Sequence, residues 1–171
     1  MLPDIDLRID NMLKALQQVV IPALPAHERL ALDQVNLVIG HLRMVRDQWR
    51  FAVKFEAGSL ANMVRLGDEL VGQVDALYRD RLADALSTAR TTDPTDQEAL
   101  SSAVRTLGGI IDAIILGEDG EIELPPAAFA AIVDYGGRQA KRERSWFAGT
   151  GLDPDRAGLP TIAQTMHADG A

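Results

Sequence analysis

Three observations predict an all-α fold, an antiparallel helical bundle of about five helices with a mostly non-helical C-terminal arm. Apolar residues recur at steps of three and four nearly throughout, with no sustained alternation of period two. Prolines fall at Pro22, Pro25, Pro94, Pro125 and Pro126, between segments of helix length. The 171 residues are 47% hydrophobic and include no cysteine, so one core must hold by packing alone.

The first helix is expected to begin after Pro3-Asp4, where a carboxylate can accept from orphan amides of the first turn. It buries Ile5, Ile9, Met12, Leu13, Leu16 and Val20, and Pro22 and Pro25 end it. A second helix from about Ala26 to Glu56 is a strut about 45 Å long, and its apolar face is wide enough to demand more than one neighbour. Ala57-Gly58-Ser59 reads as a break, with Gly58 supplying a C-cap and Ser59 the next N-cap. The third helix then covers about Leu60 to Leu86, and Gly67 on its apolar face invites close approach by a neighbour. Asp93-Pro94 starts a fourth helix, with Leu100, Leu107, Ile111 and Ile114 inward, that stops at Gly117. After an acidic turn from Glu118 to Pro126, Pro125-Pro126 launches a fifth helix carrying Phe129, Ile132, Val133, Ala140 and Phe147. Residues 1–148 are thus expected to form the bundle domain. Residues 149–171, with Gly151, Pro154, Gly158, Pro160 and Gly170, form an arm whose Leu159, Ile162, Ala163 and Met166 make one docking turn.

Charge and composition exclude several function classes. The chain has 25 Asp and Glu against 17 Lys and Arg, a net charge of -8, which repels a polyanion unless positive charge clusters. The absence of cysteine removes disulfides, thiolate metal sites and thiol nucleophiles and fits the cytoplasm. Asp4, Asp6 and Asp10 replace the apolar run of an export signal, and Asp112 interrupts the longest aliphatic stretch, so no membrane span is expected. No Glu-x-x-His or His-x-x-x-His pair accompanies His27, His41 and His167, so neither a metal nor another cofactor is expected. The Glu118 to Glu123 turn bends like a calcium loop but puts Ile115 and Pro126 at ligand positions. Phosphate-binding glycine loops and nucleophile elbows are absent.

Three constellations remain. Gln34, His41 and Gln48, spaced by seven, fall between two apolar rows of the second helix and project into the expected core. With Arg81 and Glu143, which interrupt other apolar stripes, they could line a polar pocket with His41 as proton carrier; the plainer reading is a structural polar network. Arg43, Arg46, Arg50 and Lys54 form a basic stripe, a candidate anion or partner site or else a solvated face partly paired with Asp47. Arg138, Lys141, Arg142 and Arg144 lead into Trp146-Phe147, joining charge to aromatics as single-strand platforms do, or complementing a helix dipole. The surplus apolar face and the arm lead to a non-enzymatic interaction module that forms a homodimer or binds a protein partner. A small-molecule or catalytic pocket around His41 is the alternative, and weak nucleic-acid binding through residues 138–147 a second.

Overall fold

The computed structural model describes residues 4–117 and 124–168, and among them every regular element is helical. The expected acidic turn at Glu118 to Glu123 lies outside the described residues. Helix α1 (Ile5–Ala15) starts where the Asp4 carboxylate accepts from the Asp6 amide at 3.4 Å. Pro22 does not end the helical path. Instead Leu16–Val20 widen into a π turn, the Ile21 amide reaches back to the Leu16 carbonyl, and α2 (Ile21–Ala23) follows. A proline ring inside a helix crowds the carbonyl four residues earlier and offers it no N–H, so a widened turn just ahead of Pro22 relieves that conflict.

Two expected boundaries move. Helix α3 (Arg29–Gln48) runs through a 3₁₀ turn at Trp49–Phe51 into α4 (Ala52–Leu70), so Ala57-Gly58-Ser59 is not a break but the interior of α4. Gly58 is there for space: a Cβ on it would lie 2.7 Å from one Arg142 guanidinium nitrogen and 2.8 Å from the other. The third expected helix is interrupted after Leu70, and α5 (Ala76–Arg90) resumes behind Asp75. Arg79 secures that joint by donating to the Val74 carbonyl at 3.0 Å.

Helix α6 (Gln97–Leu116) begins not at Asp93-Pro94 but at Asp96, whose carboxylate accepts from the Glu98 and Ala99 amides at 3.0 and 3.1 Å, while Asp93 closes a turn onto the Thr95 amide. It ends at Gly117, whose φ of 69° suits a residue without Cβ. Helix α7 (Pro126–Phe147) starts at its proline and passes through Gly136-Gly137 unbroken. In the arm, 3₁₀ turns at Ala148–Thr150 and Arg156–Gly158 precede α8 (Ile162–Ala168), where Met166 is buried.

The chain divides into two compact units, Met1–Arg50 with Arg144–Ile162, and Phe51–Glu143 with Ala163–Ala171. These bounds do not follow the division at residue 148 expected from composition. The second unit has the larger core. Leu66, Leu70, Leu82, Leu86, Leu100, Leu107 and Ile114 from α4, α5 and α6 are fully buried, each worth roughly 1.5–3 kcal/mol of hydrophobic transfer. Gly67 faces Leu86, and a Cβ there would stand 2.7 Å from its Cδ2, so the glycine sets how closely α4 and α5 approach. Helix α6 is long and apolar enough by composition to cross a membrane, but it carries Leu100, Leu107, Ile111 and Ile114 into this core and keeps Arg105 and Asp112 exposed.

The first unit is thin. Its buried apolar side chains are Ile9, Leu13 and Ile39, with Leu16, Ile21, Val35, Leu42 and Trp49 half-buried around them. Asp6 accepts from the Trp49 indole at 2.7 Å and pairs with Arg50, while Asp10 accepts from Arg46 at 3.1 Å. Early residues of α1 thus meet late residues of α3, so the two helices run in opposite directions.

Candidate functional site

Helix α3 has apolar residues on two separate sectors. At about 100° per residue, Val35, Ile39, Leu42 and Trp49 share the sector turned to α1. Leu30, Leu37, Val38 and Val45 share another, with exposures of 73%, 53%, 46% and 46%. Gln34 and His41 fall within this second sector and are also exposed, which corrects the expectation that they project into the core. The core of this unit lies to the α1 side, so the sector that holds Gln34 and His41 faces solvent. Gln48, at the end of the same row, is half-buried and donates to the Trp146 carbonyl at 2.8 Å. Met44 is half-buried beside it, with Gly149 of the 148–150 turn packed close. From Leu30 to Val45 the exposed strip carries no charged side chain, in a chain of which 25% is charged.

The other two members of the expected polar pocket are elsewhere. Arg81 and Glu143 belong to the second unit and are both exposed, and Glu143 accepts from Gln139 at 3.0 Å. Within neither unit do the five residues converge on a common point.

The expected basic stripe is divided: Arg43 and Arg46 lie on α3, Arg50 in the 3₁₀ turn and Lys54 on α4 of the second unit. Arg46 pairs with Asp10 and lies 3.8 Å from Asp47, and Arg50 pairs with Asp6 while its guanidinium sits 5.3 Å from the centre of the Trp49 ring. Arg43 and Lys54 are exposed. Arg46 and Arg50 thus bridge α3 and the turn after it to α1.

The 138–147 segment is likewise divided. Arg144 donates to both Asp153 oxygens at 2.7 and 3.0 Å, with Asp155 at 3.5 Å, and so ties α7 to the arm of the first unit. Those hydrogen bonds, then the Asp155 amide, hold the Asp153 carboxyl below its ordinary range. Trp146 is half-buried. In the second unit Arg142 is 4% exposed, donates to the Phe55 carbonyl at 3.0 Å and lies 5.1 Å from the Phe55 ring centre. Burial lowers its guanidinium from the ordinary value, opposed by nearby Tyr135 and Glu143. Tyr135 beside it is pushed up, first by burial and then by the charges of Glu143 and Asp112. Arg138 pairs with Asp134 through one terminal nitrogen, while its Nε and Nη2 are buried without a hydrogen bond. Lys141 is exposed. As an aromatic and cationic platform the segment is therefore dispersed: Arg142 is an internal clamp between α7 and α4, and Arg144 a fastener for the arm. Sequence reasoning missed the clamp, whose one signal is a glycine in the middle of α4.

Polar chemistry is sparse elsewhere. Among the described residues no three His, Asp or Glu side chains converge as metal ligands would. An open groove of about 310 Å³ in the second unit is lined by Ala85, Thr88, Ala89, Thr92, Ser102 and Thr106 among others, and no ionisable group lines it. No protein-family model matches the chain, and neither curated proteins nor solved structures yield a match.

Proposed function

We propose that this chain is a helical interaction module that works by docking a protein partner on the outer strip of α3. The observation that supports this reading is the strip itself, four large apolar side chains in one exposed and uncharged sector, with Gln34 and His41 among them. Exposed apolar area in a continuous row costs solubility, and soluble chains keep such rows mainly where another surface covers them. The remaining polar features favour the same reading, because the arginines that could greet an anionic ligand are mostly engaged with Asp6, Asp10, Asp153 or Phe55.

The test is photocrosslinking in the host cell, with a photoreactive residue replacing Val38 on the strip or Asn36 on a different sector of α3. The reading expects a protein adduct from position 38 and none from position 36. Equal labelling from both, or none from either, overturns it.

A further inference from the structure

The strip is self-complementary, which identifies its partner within the reading above. Along α3 its exposed members are Leu30, Gln34, Leu37, Val38, His41 and Val45, at steps of four, three, one, three and four. That order is the same from either end, in spacing and in chemistry. A second α3 laid antiparallel about a two-fold axis between Leu37 and Val38 brings Leu30 to Val45, Gln34 to His41 and Leu37 to Val38. Each apolar contact then joins a larger Leu to a smaller Val, and the two polar residues meet each other. A glutamine amide both donates and accepts, so it can satisfy the imidazole in either tautomer. Isologous pairing requires such a self-matching patch, because every contact occurs twice.

We propose that the partner of the α3 strip is a second copy of this chain, paired antiparallel about an axis at Leu37 and Val38; this rests on the interaction-module reading. The thin core of the first unit supports the choice. Ile9, Leu13 and Ile39 are its buried apolar residues, and a helix pair with so little interior gains from a further apolar layer. The absence of charge on the strip also keeps like charges from meeting at the contact between identical chains. The strip is about 22 Å long and one helix wide, on the order of 200 Å², well below the roughly 800 Å² per partner of a standard interface. The dimer is therefore weak and reversible, with dissociation in the micromolar range or above.

Sedimentation equilibrium of the full chain from about 1 µM to about 1 mM reads this directly. The wild type passes from monomer to dimer across the range. Leu37→Lys and Val38→Glu each weaken pairing by about ten-fold or more, since each places a charge against an apolar partner. The double variant Leu37→Lys/Val38→Glu sets Lys against Glu twice across the axis and recovers pairing to within about three-fold of wild type. Both sites are exposed, and circular dichroism of each of the three variants checks that the helices persist. A wild type that remains monomeric overturns the proposal, as does a double variant no better than the singles. If the wild type is monomeric while position 38 still crosslinks a different protein in cells, the interaction-module reading survives and the second copy falls. With no adduct either, both fall.

Discussion

Two arginines one helical turn apart on α7 illustrate how little a residue type says about its contribution. Arg142 is buried, stacked on Phe55 and bonded to its carbonyl, so Arg142→Met removes a charge-assisted hydrogen bond and a ring contact and is expected to cost about 1.5–3 kcal/mol in chemical denaturation. Arg138 has one exposed partner in Asp134 and two buried nitrogens without a hydrogen bond. Arg138→Met removes that desolvation penalty along with a surface pair worth at most about 1 kcal/mol, so stability should hold or rise. Gly58 belongs to the same cluster. Gly58→Ala should gain about 1 kcal/mol from helix propensity, yet its Cβ collides with the Arg142 guanidinium, so the wild-type background loses stability. In an Arg142→Ala background the same substitution should become stabilising, and a double-mutant cycle reads the reversal.

At the scale of elements, ends and joints govern the outcome. The Asp96 carboxylate satisfies two amides at the start of α6, and Asp96→Ala should cost about 1 kcal/mol, measured as a shift in the denaturation midpoint. Arg144 and Asp153 join α7 to the arm, and their bond holds the Asp153 carboxyl low. A group whose folded pKa is depressed contributes stability above its unfolded value of about 3.9, and that contribution fades as pH falls through the lower folded value. The thermal midpoint should therefore drop more steeply below about pH 4 in the wild type than in Asp153→Asn. Equal slopes would show that the bond does not couple to folding.

For the whole molecule, the unequal cores of the two units set an expected order of opening. Amides of α1 and α3, over a core of Ile9, Leu13 and Ile39, should exchange with solvent before those of α4, α5 and α6, whose leucines are fully buried. Hydrogen exchange followed by mass spectrometry checks this, with the first unit protected further as concentration rises if α3 pairs between chains. Uniform protection across both units would contradict it.

The helical class, the start of α7 at its proline, the stop of α6 at Gly117 and the small contact at Gly67 are legible in the amino-acid order, because periodicity and backbone stereochemistry act locally. That order also held the surplus of apolar residues on α3, visible as two rows on one helix. Tertiary structure alone settled that Val35, Leu42 and Trp49 turn to α1 while Val38 and Val45, from the same apolar row, face water, since a helical wheel shows relative angles and not the direction of the core. For the same reason Gln34 and His41 look like interior groups in the sequence and stand at the surface in the fold. The role of Gly58 was equally hidden: a glycine reads locally as a break, and only Arg142, distant in sequence but adjacent in space, turns it into the cradle of a buried cation.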